Sequence, residues 1–413
     1  MEDEVEIAKK LVSFDTQNPP SNTVLLLKYV CSILKRNRIS YRLMSKKRNM
    51  VYLISEIGRG SKRLVLYGHI DVVPVGDLSR WKTKPFSPVA KGGMLYGRGA
   101  ADMKGACAGM ISAFVELAQD RRLKGRIQLL LCPDEENYDI KDKLLLKIIK
   151  KYKADACLMG EPHLDHVIIG EKGELWVMLA ARGIGAHGST PAAGVDAGLI
   201  LDSAIHEIRN EIDRFNKSIT QKSQYLKKLF YDSDSCMAEE FELKNDRFRK
   251  FVEARPTSRI TMNVGYLKSG HNINIVPDAA EAHISFMVPY GFDYRKILHL
   301  VNKIVKRYTK SGNGSIKITY SDGTDPALTD PDAGIVSSVA RAYTSVKKKK
   351  PRLVFDTGVS DAVFYRKAGV DTASYGPGAF SQAHQYNERV SIKEIRIAKR
   401  IYKQAAIDFL GVE

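Results

Sequence analysis

Val65-Leu66-Tyr67-Gly68-His69-Ile70-Asp71 is a short apolar run that delivers a histidine and, two residues on, an aspartate. Three later stretches repeat the arrangement. Arg126 to Pro133 runs apolar into Asp134-Glu135-Glu136, Ala156 to Gly160 runs into Glu161, and Thr372 to Gly378 leads toward His384. Each run has the length and bounding turn signals of a buried strand. Helical stretches lie between most of them, which predicts an α/β fold on a largely parallel sheet. In such sheets ligands bind outside the carboxyl ends of the strands. Reactive residues placed directly after four such runs are therefore expected to meet on one rim.

Around this frame the pattern is regular. Amphipathic stretches predict helices over 3–16, 22–37, 106–117, 140–152, 195–215, 293–309, 332–346, 361–368 and 392–409. Alternating or apolar runs predict strands over 41–43, 51–57, 175–181, 259–267, 280–287, 315–320 and 352–355. The Gly- and Pro-rich segment Trp81 to Gly99 reads as a loop, ending at a helix start where exposed amides favour the charge of Asp102. The block from Leu175 to Tyr320 has the order strand, helix, strand, strand, helix, strand. That order suits a small α+β domain inserted into the α/β one. The expected division is 1–176 and 323–413 for the main domain and 177–322 for the insert. Residues 216–256, polar and charged, are the least legible part.

The chain has 413 residues and a formal charge of +18. That length allows two domains with a substantial core. No apolar run is long enough for a membrane span, and Met1-Glu2-Asp3-Glu4 does not resemble a secretory signal, so a cytoplasmic location is expected. Five widely spaced cysteines without a Cys-x-x-Cys pair argue against a disulfide framework or a cysteine zinc site. Several lie in apolar runs and read as buried small hydrophobes. The charge raises the question of nucleic acid. Its lysines, however, are spread along helix-like segments (Lys141 to Lys153, Lys217 to Lys250) and the tract Lys347 to Lys350, with no zinc-finger or aromatic RNA-binding motif. A solvated basic surface, and no specific nucleic-acid site, is the expectation, with attraction of an anionic substrate or incidental polyanion binding as the alternative.

Imidazole and carboxylate ligands without cysteine suit zinc, cobalt or manganese. The candidates are His69, Asp102, Glu135 or Glu136, Glu161 and His384. Five such groups exceed the needs of one catalytic ion with an open position. Two divalent ions, about 3.5–4 Å apart and bridged by a carboxylate and a water, would use them all. Asp71 is suited to hold the imidazole of His69 from behind. Adjacent side chains on an extended stretch point in opposite directions, so one of Glu135 and Glu136 can bind metal while the other stays free as a base. Singly, a His-x-Asp or a Glu pair is more often structural or surface charge; their joint placement at strand ends carries the reading.

The motifs Gly68-His69-Ile70-Asp71-Val72-Val73-Pro74, Trp81 with Pro85-Phe86, Gly97-Arg98-Gly99 through Asp102-Met103-Lys104-Gly105, Asp134-Glu135-Glu136 and Gly160-Glu161-Pro162 resemble those of the co-catalytic zinc metallopeptidases and amidohydrolases. This is the family of acetylornithine deacetylase, succinyl-diaminopimelate desuccinylase, aminoacylase and glutamate carboxypeptidase. The resemblance continues through Gly185-Ala186-His187-Gly188-Ser189 with Pro191, Asn274 with Pro277, Thr357-Gly358-Val359-Ser360-Asp361, Gly376-Pro377-Gly378, and His384 with Asn387-Glu388, and so covers about residues 5–410. It implies a zinc-peptidase-like catalytic domain on a mostly parallel mixed sheet, with an inserted α+β lid and dimerisation domain. It also implies two zinc ions, one on His69, Asp102 and Glu161, the other on Glu136, His384 and the shared Asp102. Glu135 would then be the general base and His187, commonly supplied by the partner subunit of a homodimer, the oxyanion donor. Asn263, Ser360, Gly358, Gly376 and Gly378 would contact the substrate, although His187 could merely cap its loop and Gly376-Pro377-Gly378 could merely turn the chain.

His163, His166 and His271 match nothing in the family and read as surface residues. One departure concerns the substrate. Relatives carry a carboxylate-gripping arginine ten residues after the proline of the Asn-x-x-Pro motif, a position that here holds Met287; either another base such as Arg259 replaces it or the substrate has no carboxylate there. The resemblance implies hydrolysis of a small N-acyl amino acid, of the acetylornithine or succinyl-diaminopimelate type. A carboxypeptidase or dipeptidase is the alternative, and a catalytically silent binding protein on the same fold the rival of another class.

Overall fold

The computed structural model describes residues 3–120, 123–136, 143–310 and 314–412. Helix α1 (Glu4–Val12) starts where the Asp3 carboxylate accepts the Val5 amide, and α2 (Val24–Arg36) follows. Strands β1 (Tyr41–Lys47) and β2 (Met50–Gly58) form a hairpin, and β3 (Arg63–His69) carries the central run. Within the segment expected to be loop, β4 (Val89–Lys91) and β5 (Met94–Tyr96) pair across Gly92-Gly93. Both glycines have positive φ, as a two-residue hairpin turn requires. Helix α3 (Gly105–Leu117) is buried almost all round, consistent with its near absence of charge. Then come β6 (Arg126–Cys132), α4 (Lys143–Tyr152), β7 (Ala156–Met159), β8 (His166–Glu171) and β9 (Gly173–Arg182). The first residues of the helix expected over 140–152 lie outside the described residues.

Helix α5 (Ala197–Ser218) is capped by Asp196, whose carboxylate accepts the amides of Gly198 and Leu199. The segment 216–256 forms α6 (Gln224–Glu240) and α7 (Asn245–Ala254). The chain continues as β10 (Thr261–Ser269), β11 (Ala279–Val288), α8 (Tyr294–Lys310), β12 (Ser315–Thr324), β13 (Ala327–Leu328), α9 (Gly334–Lys347), β14 (Arg352–Asp356), α10 (Ala362–Lys367), β15 (Asp371–Ser374), β16 (Arg389–Ser391) and α11 (Ile392–Leu410).

The large sheet is mixed, in the order β1-β2-β6-β3-β7-β15-β8-β13, with β14 also on β8. Its middle, β6-β3-β7-β15, is wholly parallel, whereas the flanking pairs β1/β2, β2/β6, β15/β8 and β13/β8 are antiparallel. The four runs read from the sequence are these four adjacent parallel strands. Their ends stand in register, His69 opposite Cys132, Tyr67 opposite Met159, and Met159 opposite Ser374. Along β3 alternate side chains enter opposite layers: Leu64 and Leu66 pack with α1, α3 and α11, while Val65 and Tyr67 pack with residues of α4 and α10. A sheet covered on both faces explains why its central strands read as unbroken apolar runs.

A second sheet, β10-β11-β9-β12, is antiparallel throughout. One face packs on α5 and α8 through Leu175, Val177, Leu201, Ile208, Ile284, Phe286, Ile297 and Val301, a core separate from that of the large sheet. Helix α6, though it lies within 177–322, packs instead on β14 and contributes Leu229 and Phe230 to the large core.

Candidate active site

His69 ends β3 fully buried, its Nε2 3.0 Å from Asp102 Oδ1. Glu136 follows β6 and reaches His384, whose Nε2 lies 3.0 Å from Glu136 Oε2 and 3.5 Å from Asp102 Oδ2. Ligand atoms of His69, Asp102 and Glu136 all fall within 4.8 Å of one another. Glu161 and Glu135 line the same cavity, which measures about 460 Å³. Four strand ends thus bring together residues spread over three hundred positions of chain.

The electrostatics of this cluster ask for cations. Burial, reinforced by the Asp102 and Glu136 carboxylates, pushes Glu161 up to about 8; burial with Asp102 raises Glu136, and burial with Glu161 and Glu136 raises Glu135. Burial alone would depress the His69 imidazole, but hydrogen bonds to Asp102 and Asp71 outweigh it and raise it well above its ordinary value. Oε1 of Glu136 and Oε1 of Glu161 are buried with no hydrogen-bond partner among the described residues. A buried carboxylate oxygen without a donor is costly unless a cation meets it. The donor set, all imidazole and carboxylate, fits divalent ions of the zinc, cobalt or manganese kind.

The surrounding groups are braced from far along the chain. Asp71 lies behind His69, with its carbonyl oxygen 3.1 Å and Oδ1 3.6 Å from Nδ1. Its carboxylate also accepts the Glu135 and Glu136 amides, at 3.2 and 3.0 Å, so it positions the glutamate loop as well as the imidazole. Asn18 donates to both Asp71 and Asp134, at 2.8 and 2.7 Å. Buried Glu388 accepts the amides of Gly99, Ala101 and Asp102 and pairs with Arg98 at 2.8 Å, fixing the Asp102 turn. Asn18 reads in the sequence as a helix stop, and Glu388 as one motif residue without a role.

The remaining candidate residues fall both on and off this cavity. His187 is exposed, bonded to Ser189 in its own turn, and does not line the cavity. Asn263 is likewise exposed and off the cavity. Ser360 and Gly358 do line it, with the Ser360 hydroxyl donating to Glu171, which a buried ion pair joins to Arg366. Gly376 and Gly378 do not line it. A Cβ at Gly376 would overlap the carbonyl oxygens of Gly160 and Glu161, and one at Gly378 would come within 2.8 Å of the Ala101 carbonyl, so both permit close backbone packing beside the ligand segments. Met287 is in the wall, but Arg259 lines a different cavity. His271 is exposed as expected, whereas His163 and His166 are buried. His163 bonds Asp356 at 2.9 Å and stacks on Phe380, and the Asp356 charge, working against burial, raises it to about 9. Within the tract read as solvated, Lys347 is half-buried between Asp165 and Glu394. All five cysteines are free and buried.

The peptidase family M20/M25/M40 model matches residues 65–408. The chain belongs to that family. It is a hydrolase whose relatives include a probable succinyl-diaminopimelate desuccinylase of Staphylococcus epidermidis, 26% identical over 97% of each chain. An uncharacterized metallohydrolase of Methanocaldococcus jannaschii is 28% identical over 90% of this chain and 86% of its own. Among solved structures, the M20 family metallo-carboxypeptidase Sso-CP2 from Sulfolobus solfataricus superposes with a TM-score of 0.85 at 22% identity, covering 99% of both chains. No helix among the described residues is long and apolar enough to cross a membrane.

Proposed function

We propose that the chain is a metal-dependent amidohydrolase that cleaves the amide bond of small N-acyl amino acids, of the acetylornithine or succinyl-diaminopimelate type. The observation that carries it is the convergence of His69, Asp102, Glu136 and His384 beside Glu161, with buried carboxylate oxygens of Glu136 and Glu161 that have no hydrogen-bond partner among the described residues. His69, Asp102 and Glu161 would hold one divalent ion and Glu136, His384 and Asp102 the other, zinc being the metal best matched to these donors. Such a pair supplies a water of lowered pKa and polarises the scissile carbonyl. Glu135, in the cavity but outside the tight ligand cluster, takes the proton of the attacking water and delivers it to the nitrogen of the leaving amine. Asp71 keeps His69 and the Glu135–Glu136 loop in place.

His187 serves as oxyanion donor in the cavity of a second copy, which makes the working unit a homodimer built on the lid, residues 177–322. Ser360 and Gly358 shape the substrate end of the cavity. The likeness to a metallo-carboxypeptidase fold favours a second reading, in which the same chemistry releases an amino acid from a short peptide. The test is hydrolysis of N-acetyl amino acids, succinyl-diaminopimelate and dipeptides by chelator-stripped protein, before and after zinc, cobalt or manganese is added. Metal-dependent release of amine from acylated amino acids supports the deacylase; release from dipeptides alone supports the peptidase. Absence of bound metal and of turnover defeats both.

A further inference from the structure

The cavity is acidic in a basic protein. Among the described residues eight carboxylates line it and no lysine or arginine does, although the chain carries 65 of those cations. Even two divalent ions leave such a wall net negative. Most of these carboxylates have visible duties: Asp134 pairs with Lys46, Asp356 with His163, Asp361 accepts the Tyr67 hydroxyl, and the rest form the metal and base set.

Glu174 has no such duty. It is the second residue of β9 and only 9% exposed, yet it opens on the cavity. Its register partners are Met287 on β11 and Thr324 on β12, both also in the wall and neither charged. The Thr324 hydroxyl is engaged by Lys367, whose field comes from Asp325, Arg295 and Glu171. Trp176, two residues along the strand and so on the same face, is the neighbour that favours the charged form of Glu174. Burial raises its pKa to about 7, and no cation among the described residues opposes that. A buried carboxylate beside an indole and a thioether, without a cation of its own, matches an ammonium, which gains from both the charge and the aromatic face.

We propose that Glu174 is a specificity-determining residue that receives a positively charged amine of the substrate, between Trp176 and Met287. This rests on the amidohydrolase reading and narrows it to cationic substrates. The amine is either a basic side chain or the free amino terminus of a short peptide.

The test is calorimetric, on metal-loaded protein carrying Glu135→Gln to slow consumption of the probes. Two pairs are compared: Nα-acetyl-L-lysine with Nα-acetyl-L-norleucine, and Gly-Leu with N-acetyl-Gly-Leu. One charged member should bind about tenfold tighter than its neutral twin, and which pair shows it names the source of the amine. Adding Glu174→Gln should reduce that ratio below about twofold while the neutral twin binds as before. Met287→Lys, at a different position, should do the same. Equal affinities within both pairs, or a preference that survives Glu174→Gln and Met287→Lys, would overturn the proposal. Turnover of the same probes by protein with Glu135 intact reads the hydrolase assignment separately, so binding preference without turnover would sink that assignment and leave Glu174 in its role.

Discussion

Oε1 of Glu388 accepts the backbone amide of Asp102 at 3.0 Å, across 286 positions of chain, while Oε2 holds Arg98 and the Gly99 amide. The candidate ligand at the centre of the cluster, Asp102, is therefore aimed by a carboxylate outside that cluster. Glu388→Gln keeps the shape but leaves the buried Arg98 without its counter-charge. A loss of about 3 kcal/mol in urea unfolding is expected, with metal affinity falling on the order of 10–100-fold. Metal retained at wild-type affinity by competition with a chelating dye would remove Glu388 as the positioning group.

Close packing makes a second demand. At Gly376 a methyl group would overlap the main-chain oxygens of Gly160 and Glu161, and backbone cannot swing aside as a side-chain tip does. Gly376→Ala should cost roughly 1–3 kcal/mol and displace Glu161. Melting temperature and metal stoichiometry read the two effects; a variant that melts with the wild type would mean that β15 has room to retreat.

Asp165 predicts a pH dependence away from the site. Burial works against its ionisation, but hydrogen bonds from Lys347, Lys349 and Tyr343 prevail and hold its carboxyl well below the usual range. Because the folded value is depressed, its stabilisation is present above the unfolded value of about 3.9 and is lost as pH falls through the folded one. The side chain is 35% exposed, so solvent screening limits the effect to roughly 1 kcal/mol. Asp165→Asn should be less stable than wild type by that margin at pH 7 in urea titrations. The gap should begin to narrow as pH falls below about 3.9 and close only once the folded value, well below that, is passed; a gap that widened with acid would contradict the assignment.

How much of this was legible depended on where the information lay. The site-bearing strands were readable because each apolar run and the reactive residue after it are adjacent in sequence. Their parallel neighbours followed from chirality and layering rather than from any one residue. Glu388 could not be ranked because it acts on backbone amides of distant segments, and any chain position has an amide; Asn18 could not because the two carboxylates it holds, Asp71 and Asp134, lie far along the chain. His163 and His166 looked like surface residues for a similar reason: Asp356 and Glu240, which make their burial tolerable, come from β14 and α6. Helix α6 was missed although a signal existed, since Leu226, Leu229, Phe230, Ser233 and Met237 fall at helical spacing among the charges. Of the antiparallel flanks, β13 has only two residues and the apolar part of β8 is the three residues Val167-Ile168-Ile169, too little for a strand signal.

Removing the base should separate chemistry from metal binding. Glu135 has its amide held by Asp71 and its side chain in the cavity, outside the tightest ligand group. Glu135→Ala is expected to keep its metal content and lose on the order of 10²–10⁴ in kcat. Loss of metal in parallel with activity would place Glu135 among the ligands instead.

His187 gives the sharpest test of assembly. In one chain it is exposed and bonded to Ser189, away from the cavity lined by Glu135. If it serves a second copy, Glu135→Ala and His187→Ala carry complementary lesions. A hybrid dimer then has one cavity with both groups intact and one with neither. Random exchange makes about half the dimers hybrid, so mixing two inactive proteins in equal amounts should restore roughly a quarter of wild-type turnover, with metal content unchanged. Were His187 to act on its own chain's cavity, every cavity in the mixture would lack one group and no activity would return.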